Sequence, residues 1–178
     1  MISEENKKIW TLFNKDEEKI LRKKVSDFDF SRYSKKEIEE LIRFLRRMMV
    51  AHKGIGLAAN QVGLDLRVFV AQLPSRKGQG GGYQGKFYAI FNPKIVSLSG
   101  KKIKEEEGCL SVPGFWGEVE RAEKIEIEGF DKNQRPIRLK ATGLLARIFQ
   151  HEIDHLEGKL YIDKAKNLFS INQEEEEK

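Results

Sequence analysis

The chain has 178 residues, 39% of them hydrophobic and 34% charged, with a formal net charge of +5. A chain of this length buries ~70% of its unfolded surface around one core, so we expect a single soluble domain. No apolar run approaches the ~18 residues of a membrane span. The only cysteine, Cys109, excludes an intramolecular disulfide and indicates a reducing compartment. The polar first residues differ from a signal or transit peptide, and these features together predict a cytoplasmic protein.

Charge is unevenly distributed along the chain. Residues 174–178 are acidic and are expected to form a disordered tail after a single domain at 1–173. The domain is therefore more basic than the whole chain, but its basic residues are scattered and match no RNA- or DNA-binding motif. These features argue against sequence-specific nucleic-acid binding. Transient contact with a large polyanion such as the ribosome stays open.

The first clear helix signal begins at Ser34. Ser34 and Glu37 have the S-x-x-E spacing of a capping box, and apolar residues recur at helical spacing as far as Met49. This helix is predicted to end near Gly54. Residues 1–30 indicate only short helical segments separated by polar stretches.

Strands are predicted after this helix, and a second helix follows them. Apolar or alternating runs indicate strands at 66–71, 87–91, 95–98, 124–128 and 137–139. Thr142 is the candidate N-cap of the second helix, and Gly158 is the residue expected to end it. Because helices and strands are segregated along the chain, the predicted class is α+β with mixed or antiparallel sheets.

Residues 78–85 form a glycine-rich segment between two of these strands. Together with Lys86 it mimics a phosphate-binding P-loop. Phe87 stands where magnesium would need a Ser or Thr hydroxyl, and a strand rather than a helix is predicted next. We therefore expect a flexible loop.

The second predicted helix carries the motif H-E-x-x-H. His151 and His155 are one helical turn apart, so both imidazoles can reach one metal ion. Glu152 can accept a proton from a water molecule beside that ion. In a glutamate-rich chain the pattern also arises by chance on exposed faces, but Ile148 and Leu156 beside the histidines indicate a buried face. The expected fold thus packs its sheets around a central helix that carries the motif.

A catalytic metal site of this kind needs three protein ligands. A third histidine at position 161 is excluded, because the residue there is Tyr161, and a downstream glutamate could come only from the acidic tail. His52 lies at the frayed end of the first helix, which suits a surface or capping role. Cys109 follows a glycine that allows close backbone approach, so chemistry alone favours Cys109. A buried inert thiol is the alternative for this residue.

Three segments together resemble the motifs of the peptide deformylases. They are 54–61 (GIGLAANQ), 107–111 (EGCLS) and 150–155 (QHEIDH), in the family's order. The resemblance extends from about Ser34 to about Asp163. It implies a metal-dependent hydrolase that removes the N-formyl group from the initiator methionine of newly synthesised polypeptides, with release of formate.

The resemblance also implies specific roles for residues. It implies metal ligation by Cys109, His151 and His155, and the favoured ion in the cell is Fe²⁺, although this donor set also tolerates Zn²⁺, Ni²⁺ or Co²⁺. The implied catalytic groups are Glu152, the Gln61 side chain at the formyl group and the Leu110 backbone N–H at the oxyanion. The candidate substrate-binding residues are Gly54, Ile55, Gly56, Leu57, Gly108, Arg121 and Ile148. Ordinary core packing is the alternative for the apolar members, above all for Leu57.

Two other functions fit the same motifs. A catalytically silent module would bind metal or peptide without hydrolysis. A metallopeptidase would cut an internal, unformylated peptide bond.

Overall fold

The computed structural model describes residues 2–75 and 82–170, so the predicted acidic tail lies outside the described residues. Within these ranges the chain forms three α-helices, α1 (Lys15–Leu21), α2 (Lys35–Ala51) and α3 (Gly143–Leu156). The strands described are β1 (Gly56–Ala58), β2 (Val68–Pro74), β3 (Tyr83–Leu98), β4 (Lys102–Cys109), β5 (Val112–Ala122), β6 (Lys124–Phe130), β7 (Pro136–Thr142) and β8 (Lys166–Ser170). The fold is α+β, as predicted. In the described ranges no helix combines the length and apolarity needed to cross a membrane.

The strands form two sheets, and all described pairs are antiparallel. The larger sheet has the order β1-β2-β3-β6-β7, and the smaller one has the order β4-β5-β8. Side chains alternate along β2, so that Val68 and Val70 pack towards α2 while Phe69 and Ala71 pack in the cluster with α3. The helix α3 contacts β1 and β2 of the larger sheet and also β5 of the smaller one. The H-E-x-x-H motif therefore lies where the two sheets meet.

The predicted start of the long helix α2 is confirmed. The Glu37 backbone N–H donates to the Ser34 hydroxyl at 3.3 Å, and the Ser34 backbone N–H donates to the Glu37 carboxylate at 2.8 Å. The helix ends at Ala51, and His52 is its exposed C-cap. His52 thus has the capping position expected from the sequence.

The strand predictions at 87–91 and 95–98 need correction, because both runs belong to the single strand β3. Asn92 between them has a positive φ of 48°, and the pairing with β6 shifts register there. The Asn92 side chain accepts a hydrogen bond from the Phe28 N–H and donates one to the Phe28 carbonyl, which stabilises the irregular backbone. The irregularity bends the strand without ending it.

The C-terminal end of the predicted glycine-rich loop belongs to a strand. Residues 76–81 lie outside the described residues, but Gly85 belongs to β3 and has a positive φ of 70°. A strand follows this segment, as expected.

The strands β1, β4, β5 and β8 were not predicted. β4 has a run of exposed charged side chains, and every residue of β8 is exposed. The sequences of β4 and β8 therefore lack the clear alternation of apolar and polar residues from which a strand is predicted.

Candidate metal centre

Three side chains from two elements converge beside α3. His151 and His155 lie one turn apart on this helix, and Cys109 is the last residue of β4. The Cys109 Sγ is 3.2 Å from His155 Nε2, which is 3.2 Å from His151 Nε2. All three donor atoms lie within 4.8 Å of one another, so a single cation between them can contact each.

A buried carboxylate, Glu107, orients the first histidine. Its Oε2 is 3.0 Å from His151 Nδ1, which leaves Nε2 directed towards Cys109 and His155. Arg121 donates to both carboxylate oxygens at 2.6 and 2.8 Å, and Arg147 donates to Oε1 at 2.6 Å. Burial alone would raise the pKa of Glu107, but the hydrogen bonds from Arg121 and His151 outweigh it and hold the pKa well below its usual range. A permanent carboxylate at this place is the partner that metal-binding histidines commonly have.

The electrostatics of the cluster suit a cation. Burial alone would lower the pKa of His151, yet its hydrogen bonds with Cys109 and Glu107 raise that pKa to about 10. The anionic neighbours of His151 therefore favour a positive charge here, and a metal ion would have to replace the ring proton, because only a neutral imidazole ligates. Burial and the neighbouring His151 lower the pKa of His155 well below its usual value, so that its imidazole is neutral and able to ligate. One sulfur and two imidazoles form a donor set used for divalent transition metals, and the residues present fit such an ion.

Glu152 has the properties of a proton-transfer group. Its side chain is buried, and its Oε2 has no hydrogen-bond partner among the described residues. Burial raises the pKa of Glu152 to about 7, against the opposing charges of His151 and Arg121. A carboxyl group with such a pKa can both accept and release a proton near neutral pH.

Gln61 presents its amide nitrogen to the same cluster. It lies in the short 3₁₀ helix Ala59–Val62 that follows β1. Its Oε1 accepts a hydrogen bond from the Ala58 N–H at 2.9 Å, and its Nε2 lies 3.6 Å from Cys109 Sγ and 3.2 Å from Ser111 Oγ. The carboxamide is therefore held with its donor side towards the three ligand atoms.

The family assignment comes from comparison with known proteins. The sequence model of the polypeptide deformylase family matches residues 10–170. The chain belongs to this family. It is 39% identical over 148 residues to the peptide deformylase of Elusimicrobium minutum, a match that covers 83% of each chain. It is 43% identical over 149 residues to that of Helicobacter pylori, covering 82% of this chain and 80% of the relative.

Solved deformylase structures have the same fold. A probable peptide deformylase from Synechococcus phage S-SSM7 superposes with a TM-score of 0.75 at 39% identity, over 88% of this chain and 98% of that one. The enzyme from Synechococcus elongatus in complex with actinonin gives 0.75 at 36% identity, over 89% and 78%. The Acinetobacter baumannii enzyme bound to Met-Ala-Ser gives 0.78 at 27% identity, over 88% and 96%.

The segment 54–56 of this deformylase-family chain lies against residues of the other two motifs. A Cβ atom built on Gly56 would lie 2.3 Å from Glu152 Oε1, and one built on Gly54 would lie 3.0 Å from the Leu110 side chain. Leu110 itself is in the turn that joins β4 to β5. The structure thus brings together residues from all three motifs.

Two of the predicted substrate-binding residues need correction. Arg121 is buried, and its guanidinium bonds Glu107 and also Asp154 at 2.6 Å, so all three of its side-chain nitrogens are engaged inside the protein. Leu57 is fully buried in the cluster under α2. Because side chains alternate along β1, the Leu57 side chain lies on the face opposite to Glu152.

The other predicted substrate contacts stay predictions. Ile55 and Ile148 pack against the same apolar cluster beside α3, which keeps them together as candidates for a methionine slot. Gly108 needs to be glycine for a local reason, because a Cβ there would lie 2.7 Å from the Trp116 ring.

Sequence reasoning missed several residues that support the site. Glu107, although it lies in the second motif, received no role. The N-terminal segment has the short helices expected from its sequence, Glu4–Lys7 and Lys15–Leu21. Its contacts with the site were not expected: the Trp10 N–H donates to the Gln61 carbonyl at 2.8 Å, and the Leu12 N–H donates to the Ser111 carbonyl at 3.0 Å. Both are hydrogen bonds between main-chain groups far apart in the sequence, and no pattern of side chains predicts such contacts.

Proposed function

We propose that the protein hydrolyses the N-formyl amide of the initiator methionine on newly synthesised polypeptides and releases formate. The observation that carries this proposal is the convergence of Cys109, His151 and His155 beside the buried Glu152 carboxylate, in a chain of the deformylase family. We further propose that residues 1–173 form one catalytic unit, with α3 as the central scaffold of the active site.

Cys109, His151 and His155 would hold one divalent ion, Fe²⁺ in the cell, with Zn²⁺, Ni²⁺ or Co²⁺ as possible substitutes in a purified sample. When bound, such an ion supplies Lewis acidity, which makes water a nucleophile at neutral pH and polarises the formyl group. The fixed carboxylate of Glu107 supports the site by keeping the His151 ring in the ligating orientation.

Glu152 would carry the proton through the reaction. Its carboxylate accepts a proton from the water that adds to the formyl carbon, and it returns this proton to the methionine nitrogen as the C–N bond breaks. The products are formate and a free amino group. The raised pKa of Glu152, about 7, suits both transfers, and a positioned group of this kind contributes ~10²–10⁴ in rate.

Gln61 and the Leu110 N–H would stabilise the negative oxygen of the tetrahedral intermediate. The Gln61 amide is held by Ala58 and Ser111 with its donor side towards the ligand atoms, so little reorganisation is needed during the reaction. One such preorganised donor is worth about 10²–10³ in turnover.

The substrate would lie against the backbone of Gly54, Gly56 and Gly108, with its methionine side chain near Ile55 and Ile148. The Acinetobacter relative was solved with Met-Ala-Ser and the Synechococcus relative with actinonin, and we propose that this chain binds both. The same function would place the protein in the cytoplasm near ribosomes. Transient ribosome contact stays a prediction.

The test is formate release from formyl-Met-Ala-Ser by protein purified without oxygen and analysed for metal. Acetyl-Met-Ala-Ser is the matched control, because it differs only in the acyl group. We expect formate from the first peptide and no deacylation of the second. A folded, metal-loaded sample that releases no formate would favour the silent binding module, and cleavage of an internal, unformylated bond would favour a metallopeptidase.

A further inference from the structure

The hairpin formed by β2 and β3 reaches the segment 54–56. Tyr83, the first residue of β3, pairs with Pro74 across the hairpin, and its ring packs against the apolar cluster under α2. Its hydroxyl donates a hydrogen bond of 2.5 Å to the carbonyl oxygen of Gly54. A side chain 29 positions away along the sequence is therefore attached to the backbone beside the candidate active site.

The other hydrogen bonds that the backbone of this segment makes with described residues have main-chain partners. The Gly54 N–H donates to the Met49 carbonyl at the end of α2 at 2.9 Å, and the Gln72 N–H donates to the Ile55 carbonyl at 3.0 Å. Gly56 then pairs with Ala71 as part of β1. Among these contacts, only the one from Tyr83 fixes the direction of the Gly54 carbonyl.

The direction of this carbonyl matters because Gly54 is followed by Ile55 and Gly56. Glycine allows backbone rotations that other residues resist, so a segment with two glycines needs external contacts to keep one conformation. Gly54 approaches Leu110, and Gly56 approaches Glu152. A rotation of the Gly54 peptide group would move the backbone that lies between these two residues.

We infer that Tyr83 is a positioning residue, which holds the Gly54 carbonyl and so keeps the 54–56 backbone in the conformation that receives the formyl-peptide. This inference rests on the proposed function, since it assigns the 54–56 segment to substrate binding. The Tyr83 hydroxyl is suited to the task across neutral pH, because burial raises its pKa above the usual value and the group remains a donor.

The test replaces Tyr83 by Phe, which removes the hydroxyl and keeps the ring. Tyr88→Phe is the matched control, because Tyr88 lies in the same strand but packs edge-on against Phe149 of α3. For Tyr83→Phe we expect KM for formyl-Met-Ala-Ser to rise about three- to ten-fold, the usual net worth of one hydrogen bond, with kcat within about two-fold of the wild type. The same factor should weaken Met-Ala-Ser binding measured by calorimetry. Metal content should be unchanged, and Tyr88→Phe should keep the wild-type KM.

The outcomes separate this inference from the proposed function. A wild-type KM and peptide affinity in Tyr83→Phe would overturn the inference while formate release by the wild type upholds the function. If kcat, metal content and melting temperature all fell together in Tyr83→Phe, the inference would also be overturned, because the hydroxyl would then have a general structural role. A wild type that neither releases formate nor binds Met-Ala-Ser would overturn both.

Discussion

Gly56 and Glu152 are in such close contact that a Cβ atom on residue 56 would lie 2.3 Å from the Glu152 Oε1. Side-chain atoms do not approach so closely, so any larger residue at 56 must displace the carboxylate that we propose as the proton carrier. The contact with Glu152 is thus a reason for glycine at position 56 that is separate from any contact with the substrate.

Gly56→Ala is therefore expected to lower kcat by at least about tenfold, because misplacement of a catalytic group by about 1 Å costs up to ~10² in rate. Steady-state formate release measures the effect. Gly100→Ala is the control, since a Cβ at that position meets no atom within 4 Å. Equal kinetics in the two variants would show that Glu152 moves aside without consequence.

Glu152→Gln should abolish proton transfer and leave the metal ligands in place. We expect kcat to fall by ~10²–10⁴ while the metal content stays that of the wild type. Metal analysis and formate release on the same sample check this prediction. The exposed Glu120→Gln serves as the control. A Glu152→Gln variant that retains full turnover would remove Glu152 from the mechanism.

Glu107→Gln should weaken both the fold and the metal site. It removes the charge that pairs with the buried Arg121 and Arg147, and removing one partner of a buried ion pair costs ~3–5 kcal/mol of unfolding free energy. It also alters the partner of His151 Nδ1, for which a loss of ~10–100-fold in metal affinity is expected.

Urea unfolding and a metal titration measure the two effects of Glu107→Gln. Glu120→Gln is again the control, because Glu120 forms an exposed ion pair with Lys102, and such a pair contributes little to stability. If both glutamine variants unfold at the same urea concentration, the buried network contributes little to stability.

Asn6→Ala should disturb the contact of the N-terminal segment with Val62, the residue that follows the first motif. The Asn6 Nδ2 donates to the Val62 carbonyl at 2.7 Å, and both groups are buried. Leaving that carbonyl without its partner should cost ~1–3 kcal/mol of unfolding free energy. Thermal unfolding is the measurement, with the exposed Asn133→Ala as control. An unchanged melting temperature would mean that the segment contributes little to stability through this bond.

The sequence predicted best those structural features that depend on residues close together along the chain. The capping box at Ser34 and the placement of His151, Glu152 and His155 on one helix follow from spacings of three and four residues, which local geometry alone decides. The class of the fold followed in the same way from the separation of helical and alternating segments.

Only the tertiary structure decided how distant segments meet. Residue chemistry left Cys109 between ligand and inert thiol, and its distance to His155 across 46 positions depends on the contacts of Glu107 in β4 with Arg147 and His151 in α3. Arg121 was expected at the substrate, but Glu107 and Asp154 surround it with negative charge in the interior. Tyr83 gave no signal at all, and the N-terminal segment indicated short helices but not the residues that it contacts. The spacing of apolar residues indicates which face of a helix or strand is buried. The residues that this face contacts depend on how elements far apart in the chain pack together.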